Sequence, residues 1–585
     1  MSEHTAIQLY DRRRYLLLGM FALLMFALSW RVVDLQVVKR EFLQNQGDAR
    51  ALRTVVVPAH RGMITDRHGE PLAISTPVES IWANPGELLA EHKHLPDLAK
   101  LLEIPLPALE KLLDKRAQRE FVYLRRHVTP ELAQRVMELD ITGVASQREY
   151  RRYYPTGEVF AHVVGFTNID DAGQEGIELL HHEWLKGTPG SKRVIKDRHG
   201  RSVKNIESIS EARPGQDLRL SLDRRLQYLA YRELKAAVQD SKARAGSAVV
   251  LDVSSGEVLA MVNQPSYNPN NRNDLNKDRV RNRVATDVFE PGSTIKPFTV
   301  AAALESGKFH PDTVIDTGSG FLRINNRFMV RDIHNYGRID VSRVIQKSSN
   351  VGAATMGLAI TPQHLWDMFS RLGLGSMTAS AFPGEAAGSL TDFTRWRETE
   401  RATLSYGYGL SVTVLQLAQA YAALAADGLM PATTMLPANV GLLDSQQVMR
   451  PQITQQVRRM LELATAKEGT GSRASVPGYR IAGKTGTARK ATAGGYSENR
   501  YLALFAGFAP ASKPRLVMVV VVDEPQGEYY GGQVAAPVFG KVMSGALRFL
   551  DIAPDDLESM GVKLADAPEN KPAVQTARPV ARGVL

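Results

Sequence analysis

The chain has 585 residues, 44% hydrophobic and 23% charged, so it can fold into several domains and is not disordered over most of its length. Its 72 basic and 62 acidic residues leave a net charge of +10. No basic helix interleaved with aromatic residues accompanies this excess, which argues against a nucleic-acid partner. Because cysteine is absent, thiol catalysis, disulfide bonds and cysteine-ligated zinc are excluded, and we expect no metal or cofactor.

The N-terminal segment predicts a membrane anchor. Arginines at 12–14 precede sixteen uncharged, mostly apolar residues, Tyr15–Trp30. Sixteen helical residues span about 24 Å against ~30 Å of hydrocarbon, and the flanking arginines and Trp30 can extend that reach. We therefore expect a short cytoplasmic segment at residues 1–14, a transmembrane anchor at residues 15–35 and an exported body.

A cleaved signal peptide is the alternative interpretation of this segment. The apolar stretch also has the length of a signal-peptide core, and Ala27-Leu28-Ser29 resembles a cleavage site. Lys39 and Arg40 behind the stretch reduce the charge asymmetry on which the orientation rests. Both interpretations export the rest of the chain.

Two folded regions are expected after the anchor. Residues 55–220 mix short strands, charged helices and Gly/Pro turns, without a cluster of chemistry-bearing residues. Residues 245–550 open with the hairpin "GSAVVLDVSSGEVLAMVNQP", continue with helical sequence and close with three apolar strands. Strands at both ends indicate an α/β sheet whose first and last strands are neighbours. The Pro- and Ala-rich tail, residues 566–585, has little to bury and is expected to be disordered.

Three short motifs in the second region can form one nucleophilic site. "STIK" places Ser293 and Lys296 three residues apart, on one face if the segment is helical. "SSN" supplies Ser348 and Asn350, and "KTGT" begins at Lys484. Each motif alone is weak, because Ser-x-x-Lys is common, "SSN" suits a helix cap and "KTG" suits an edge strand. Their order within one exported α/β region is specific.

The third motif overlaps a phosphate-binding pattern. Gly478 to Thr485, "GYRIAGKT", satisfies the P-loop consensus, and Asp523 at the end of an apolar strand could hold magnesium. A P-loop must lead directly into a helix whose N-terminal amides bind phosphate. The sequence that follows, "GTARKATAGGYSENR", is rich in glycine and threonine and predicts a strand, a loop and a second strand. We therefore interpret Gly478 as a turn and Lys484 as part of the nucleophilic site.

These residue types suit acyl transfer through a serine. Ser293 needs a base, and Lys296 can serve if burial and a nearby cation lower its pKa from ~10.4. Lys484 is the candidate cation. Ser348 could relay a proton to the leaving amine, and Asn350 could orient the substrate and Lys296.

The strand that starts at Lys484 is expected to bind substrate. Thr485, Gly486 and Thr487 can pair with an extended peptide, since Gly486 permits close backbone approach and threonine hydroxyls can bind a carboxylate. The backbone amides of Ser293 and Thr487 would form an oxyanion hole.

Two adjacent tyrosines are further candidates for substrate binding. Tyr529 and Tyr530 precede a pair of glycines and could form an aromatic wall of the cleft. Solvent-shielded turn residues would fit the same pattern.

The motifs together resemble those of the class B penicillin-binding proteins, and the division-specific transpeptidases in particular. "RGMITDRHGEPLA" and "GQEGIE" resemble two boxes of the family's N-terminal pedestal, while "SYGYGLSVTVLQLAQAYAALAADG" and "GGQVAAPVFGKVM" resemble division-type stretches of its catalytic domain. The resemblance implies an elongated α+β pedestal domain. It also implies a C-terminal transpeptidase domain with the serine β-lactamase-like fold, an antiparallel sheet flanked by helices.

The resemblance implies roles for the motif residues: nucleophile for Ser293, base for Lys296, second motif for Ser348 and Asn350, and third motif for Lys484, Thr485 and Thr487. The second motif reads Ser-Ser-Asn where related β-lactamases have Ser-Asp-Asn.

The implied activity is D,D-transpeptidation of peptidoglycan during septum formation. The serine would attack the D-Ala-D-Ala bond of one stem peptide and pass the acyl group to a side-chain amine of another, forming 4-3 cross-links, and β-lactams would mimic the donor. Implied partners are the inner membrane, with the catalytic domain in the periplasm, a multi-pass glycosyltransferase and other division proteins. A D,D-carboxypeptidase or β-lactamase, and a non-catalytic penicillin-binding sensor or scaffold, are the alternatives.

Overall fold

The computed structural model describes residues 3–41, 52–196, 202–271, 273, 275–378, 380–438, 445–492 and 494–560. The described chain forms an N-terminal helix, a pedestal region (residues 52–219) and a C-terminal region (residues 224–560). The tail expected to be disordered lies outside the described residues, as do the first two residues of the expected cytoplasmic segment.

The N-terminal helix, α1, spans Glu3–Val33 and continues through a π-helical turn at Asp34–Val38. Its section Arg13–Val38 has a mean hydropathy of 2.1 in its most apolar window, and none of that window is buried against the described chain. The 26 residues of this section extend about 39 Å, which exceeds the hydrocarbon thickness of a bilayer. The helix is therefore a candidate membrane anchor, and it is longer than the apolar stretch alone indicates.

The pedestal region is built on two sheets with short helices. One sheet has the strand order β1-β6-β7; the other has the order β4-β3-β2-β8, with β5 also paired to β3. The strands are Leu52–Val57 (β1), Ile64–Thr65 (β2), Pro71–Ala83 (β3), Val122–Val128 (β4), Val144–Tyr153 (β5), Gly190–Lys196 (β6), Ser202–Ser210 (β7) and Leu218–Arg219 (β8). The helices are Pro85–Ala90 (α2), Leu95–Leu101 (α3), Leu106–Lys115 (α4), Pro130–Met137 (α5), Ala161–Val164 (α6), Gly176–Leu180 (α7) and His182–Leu185 (α8).

The C-terminal region is organised around an antiparallel five-stranded sheet with the order β10-β9-β19-β18-β17. Its strands are Ala245–Asp252 (β9), Val258–Gln264 (β10), Ala482–Thr492 (β17), Gly495–Ala509 (β18) and Leu516–Asp523 (β19). Short strand pairs lie outside this sheet: Val314–Asp316 (β11), Phe321–Arg323 (β12), Met329–Arg331 (β13), Arg338–Asp340 (β14), Leu429–Met430 (β15) and Gln446–Gln447 (β16). The first strand, β9, pairs with the last strand, β19, as the sequence predicts.

Helices cover both faces of this sheet. The described helices are Arg224–Asp240 (α9), Lys277–Val280 (α10), Arg283–Thr286 (α11), Lys296–Glu305 (α12), Val341–Lys347 (α13), Asn350–Ala359 (α14), Pro362–Arg371 (α15), Glu398–Leu404 (α16), Val414–Ala425 (α17), Pro451–Thr465 (α18) and Gly531–Phe549 (α19). Helices α9 and α19 contact the sheet and each other, while α17 contacts β9, β18 and β19. Alternate residues of β19 belong to two separate hydrophobic cores, so the continuous apolar run "LVMVVVV" is buried on both faces.

The structure confirms that Lys484 lies in a strand and that no phosphate-binding helix follows it within the described residues 478–492. Gly478 adopts a φ of +84°, a left-handed turn conformation that favours glycine. Lys484 then lies in β17, which pairs with β18 in an antiparallel meander. The P-loop interpretation is therefore wrong for this chain.

A buried ion-pair cluster holds the pedestal region together. Glu178 accepts hydrogen bonds from Arg61 at 2.8 Å and from Arg152 at 2.6 Å, and the side chains of all three are fully buried. Arg152 also donates to the carbonyl of Gly62 at 2.8 Å. Arg61 opens one pedestal box and Glu178 closes the other, so the cluster gives the physical reason why these two stretches meet.

We expect Glu178→Gln to destabilise the pedestal region by about 3–5 kcal/mol, because it removes the carboxylate that is hydrogen-bonded to two buried guanidinium groups. Urea unfolding of the purified full chain, followed by tryptophan fluorescence, measures this change. Glu183→Gln is the matched control, because Glu183 pairs with Lys186 at the surface. Equal unfolding midpoints for the two variants would contradict the assignment.

Candidate active site

Ser293 lies in a tight turn at the start of a buried helix. The turn is a 3-10 segment, Gly292–Ile295, and the backbone N–H of Lys296 donates to the carbonyl of Ser293. Pro297 is in the first turn of α12, where a missing N–H costs little. Ser293 is partly exposed while its neighbours on both sides are buried. The turn thus presents the serine to solvent, with Lys296 one helical turn further on.

The second motif reverses the chain between two helices. Ser348 ends α13 with φ 61° and ψ 38°, a left-handed conformation that is costly for a non-glycine residue. Ser349 caps α14, where its hydroxyl accepts a hydrogen bond from the N–H of Gly352 at 2.8 Å. This sharp reversal directs Ser348 and Asn350 towards Lys296.

The three motifs meet around two buried amines. Lys296 Nζ donates to the Ser348 carbonyl at 2.6 Å and to Asn350 Oδ1 at 2.7 Å, and it lies 3.3 Å from Ser348 Oγ. Lys484 Nζ lies 2.9 Å from Ser348 Oγ and donates to the Thr485 carbonyl at 3.0 Å. The hydroxyl of Ser348 therefore bridges the two lysines.

The surroundings of both lysines favour neutral amines. Burial lowers the pKa of Lys484 to about 7. Burial and repulsion from Lys484 lower the pKa of Lys296 well below its ordinary value, although the carboxylate of Asp332 opposes this effect. These shifts bring Lys296, one helical turn after Ser293, closer to the neutral form that a general base requires.

Strand β17 lies at one edge of the sheet, so one side of it has no paired strand in the described chain. Such an edge can bind an extended peptide. The hydroxyl of Thr485 lies 2.7 Å from that of Thr470, and Thr487 Oγ1 accepts from the N–H of Gly531 at 3.1 Å. A Cβ at Gly486 would lie 2.9 Å from the side chain of Thr294. Gly486 therefore allows the serine turn to pack against the strand, a constraint that the sequence analysis did not anticipate.

The two predicted tyrosines form an aromatic cluster at the start of α19. Tyr529 stacks on Tyr501 with ring centroids 4.2 Å apart, and its ring lies 4.6 Å from that of Tyr530. Tyr530 is 42% exposed. The cluster leads into Gly531, whose N–H donates to Thr487, so it lies next to β17.

A second aromatic contact was not found by sequence reasoning. Tyr496 donates to the carboxylate of Glu290 at 2.9 Å, and its ring makes an edge-to-face contact with Tyr408 at 5.2 Å. Glu290 lies three residues before Ser293, while Tyr496 lies near the β17–β18 turn. This contact ties the turn to the segment that carries the serine. No short sequence motif indicates the contact between Tyr496 and Glu290, because the two residues are far apart in the chain.

Asp332 is the other residue that sequence reasoning missed. Its carboxylate accepts hydrogen bonds from the Ser349 hydroxyl at 2.6 Å, the N–H of Asn350 and the N–H of Val351 at 3.0 Å. It therefore holds the first turn of α14 and, with it, the position of Asn350. It follows β13 in "MVRDIH", where a single acidic residue carries no recognisable signal.

Comparison with known proteins places the chain in a family. Residues 246–544 match the model of the penicillin-binding protein transpeptidase domain, and residues 56–220 match that of the penicillin-binding protein dimerisation domain. The chain is 44% identical over 552 residues to the peptidoglycan D,D-transpeptidase FtsI of Escherichia coli K12, covering 93% of this chain and 92% of the relative. It is 43% identical to the probable peptidoglycan D,D-transpeptidase PbpC of Pseudomonas aeruginosa, covering 94% and 97%.

Solved structures agree. The transpeptidase domain of Burkholderia pseudomallei penicillin-binding protein 3 is 43% identical with a TM-score of 0.53, covering 57% of this chain and 97% of that one. Penicillin-binding protein 3 of Mycobacterium tuberculosis, complexed with aztreonam, is 28% identical with a TM-score of 0.65, covering 86% and 98%. The chain belongs to the class B penicillin-binding proteins, which confirms the family and the fold class predicted from the motifs.

The buried Lys484 should leave a signature in the pH dependence of stability. Its pKa is about 7 in the folded state and ~10.4 when unfolded, so the folded state binds fewer protons between these values. Stability therefore rises with pH through this window, by up to ~1.4 kcal/mol per pH unit. We expect Lys484→Met to lose part of this rise in thermal unfolding experiments.

The exposed Lys513 provides the control for this experiment. Lys513→Met should follow the wild-type pH profile, because an exposed lysine has similar surroundings in the folded and unfolded chains. Parallel profiles for the wild type and Lys484→Met would contradict the prediction.

Proposed function

We propose that this protein is a peptidoglycan D,D-transpeptidase of septal cell-wall synthesis that works through a serine acyl-enzyme. The observation that carries the proposal is a pair of buried amines that share the hydroxyl of Ser348. One belongs to Lys296, one helical turn after Ser293, and the other belongs to Lys484. Relatives named peptidoglycan D,D-transpeptidase, matched over more than nine-tenths of the chain, support the same activity.

Acylation begins when neutral Lys296 takes the proton of the Ser293 hydroxyl. The serine oxygen attacks the carbonyl carbon of the D-Ala-D-Ala bond, and the C–N bond breaks. The proton passes from Lys296 through Ser348 to the leaving amine, so D-alanine leaves with a neutral amino group. Lys484 contributes positive charge that keeps the pKa of Lys296 low.

Deacylation reverses these transfers with a new amine. A side-chain amine of a neighbouring stem peptide attacks the ester, gives a proton to Lys296 through Ser348, and forms an amide bond. The C–O bond to Ser293 breaks, and the serine recovers its proton. Water in place of the amine would give the carboxypeptidase reaction, which differs only in the acceptor.

Substrate binding is assigned to the edge of β17. The donor peptide pairs with Thr485–Thr487 as an added strand, and the threonine hydroxyls bind its terminal carboxylate. The backbone amides of Ser293 and Thr487 stabilise the oxyanion, where one such donor is typically worth about 3 kcal/mol. Tyr529 and Tyr530 line the adjacent wall. β-Lactams enter as mimics of the donor.

The anchor helix and the pedestal region suit an enzyme that works next to the membrane. We assign residues 1–14 to the cytoplasm, residues 15–35 to a single membrane span, and the pedestal (55–220) and transpeptidase (245–550) domains to the periplasm. Because the transpeptidase joins existing strands, polymerisation requires a partner. We assign that role to a multi-pass glycosyltransferase of the division machinery.

Labelling with fluorescent penicillin tests the nucleophile. We expect stoichiometric labelling of the full chain, no labelling of Ser293→Ala, and a loss on the order of 10²-fold or more in acylation rate for Lys296→Ala. Ser306→Ala, at the far end of the same helix, is the control that should label normally. Equal labelling of the wild type and Ser293→Ala would overturn the assignment.

Product analysis then separates the transpeptidase from its alternatives. The full chain is given a stem-peptide donor and an amine acceptor, and the products are resolved by mass spectrometry. Cross-linked product supports the transpeptidase, and released tetrapeptide alone indicates a carboxypeptidase. Penicillin labelling without turnover would indicate a sensor or scaffold.

The role of Asp332 predicts two different effects on penicillin acylation. Asp332→Ala should slow acylation on the order of 10²-fold, because the first turn of α14 loses its acceptor and Asn350 shifts. Asp332→Asn keeps an acceptor and removes the carboxylate that raises the pKa of Lys296. The acidic limb of its pH–rate profile should therefore move to lower pH. Asp312→Asn, an exposed control, should leave the acylation rate and the pH–rate profile unchanged.

A further inference from the structure

A cavity of about 820 Å³ lies on the outer side of the helix pair α9 and α19, away from the serine site. The short 3-10 segment Ser472–Ala474 completes one wall. We call this cavity the cationic cleft, because its lining includes five basic side chains, from Arg225, Arg232, Arg473, Lys541 and Arg548. Glu233 is the carboxylate among the same lining residues.

The positive charge of the cationic cleft is only partly neutralised, and Arg225 pairs with Asp223 at 2.8 Å. Glu233 is engaged by Arg232 at 2.6 Å and by Lys541 at 3.6 Å. Arg473 and Arg548 have no ion-pair partner in the part of the chain that the structure describes, and Arg548 donates to the Ser544 carbonyl of its own helix at 3.0 Å. Both arginines are exposed. The cleft therefore presents guanidinium groups free to bind carboxylates.

Apolar surface lies between these charges. Tyr228 is 55% exposed and Phe549 is 42% exposed, and the guanidinium of Arg225 lies 5.6 Å from the Phe549 ring centre. A Cβ at Gly545 would lie 2.4 Å from the side chain of Leu229, so glycine brings α19 close to α9 and leaves the floor of the cleft open. Carboxylate-binding groups beside aromatic rings suit a ligand that carries both acidic and aliphatic parts.

The cationic cleft and the serine site are joined by one helix, α19, which contains Pro537. The first residue of α19, Gly531, contacts Thr487 in the serine site, while Lys541 and Arg548 lie in the later turns of the same helix. The 19 residues of α19 extend about 28 Å. The two sites are thus separate, but close enough for one polymer to reach both.

We propose that the cationic cleft binds carboxylate-bearing stem peptides of an uncross-linked peptidoglycan strand while another stem peptide of that strand occupies the serine site. The identity of this ligand rests on the function proposed above. The volume lies within the ~300–1,000 Å³ of ligand pockets and suits a peptide side branch better than a flat protein interface. The chain's own tail, residues 561–585, has four basic and two acidic residues and so lacks the complementary charge.

Occupancy of the cleft would raise the local concentration of stem peptides at β17. A polymer held at one point presents its other repeats at an effective concentration set by the length of chain between them. The cleft should therefore lower the KM for polymeric donors and leave short donor peptides unaffected. This difference in KM between polymeric and short donors distinguishes a site that retains substrate from a site with a structural role.

Binding is measured on the full chain after its serine site has been blocked with penicillin. The probe is a fluorescent, soluble, uncross-linked glycan strand with intact stem peptides, compared with the same strand after amidation of its carboxylates. We expect the triple variant Arg473→Glu, Lys541→Glu, Arg548→Glu to bind the acidic strand at least about tenfold more weakly in fluorescence anisotropy. The amidated strand should bind weakly to the wild type.

Lys115→Glu, Lys277→Glu, Lys513→Glu is the matched control, since it changes the net charge equally at exposed sites outside the cleft. Equal losses in the two triple variants, or equal binding of amidated and acidic strands, would overturn the proposal. Tighter binding of a poly-glutamate peptide than of the strand would also overturn it, in favour of an acidic protein partner.

Penicillin acylation separates this proposal from the proposed function. The cleft variant should acylate at the wild-type rate, so loss of strand binding with normal acylation supports the cleft. If the wild type and every variant acylate normally but none binds the strand, the proposal for the cleft is refuted and the proposed function is not. If the triple variant fails to acylate, Arg473→Gln with Arg548→Gln replaces it, with the same expected loss of strand binding.

Discussion

The site depends on the burial of two lysine amines against one another. Lys296 and Lys484 are withdrawn from water, and the hydroxyl of Ser348 lies between them. Two ammonium groups in this position would repel each other and lack solvation, so the arrangement favours loss of a proton. Burial on folding thereby lowers the pKa of both lysines, which raises the fraction of neutral amine at a given pH. The serine turn, the reversal at Ser348 and strand β17 bring these three groups together.

Three structural elements must keep fixed positions relative to one another for this purpose. The serine turn packs against β17 through Gly486, and the reversal at Ser348 is fixed by the Asp332 carboxylate. Helix α19 meets the middle of the same strand through Gly531 and Thr487. Helices cover both faces of the sheet, and the two amines lie among hydrogen-bond acceptors and out of contact with bulk water. The pedestal region contributes no side chain to the two-lysine centre in the described contacts, and its own stability depends on a separate buried cluster around Glu178.

The sequence allowed the motifs, the family and the pairing of the first and last strands to be predicted, because these depend on short patterns of residues. The strand at Lys484 could be distinguished from a P-loop, since glycine and threonine in the following residues disfavour a helix. Asp332 and the contact between Glu290 and Tyr496 could not be predicted. Each joins positions distant in the chain through a single polar group, and no periodicity or spacing encodes such a contact. The packing role of Gly486 was likewise hidden, because it depends on the approach of Thr294 in three dimensions.

The pairing of β9 with β19 has a consequence for the newborn protein. These strands come from opposite ends of the C-terminal region, so the sheet cannot close until almost the whole region has been synthesised. Lys296 is made long before Lys484, so the two-lysine centre is incomplete until β17 has been made. A chain that ends before β17 therefore carries the serine turn without Lys484 and without the strand on which that turn packs.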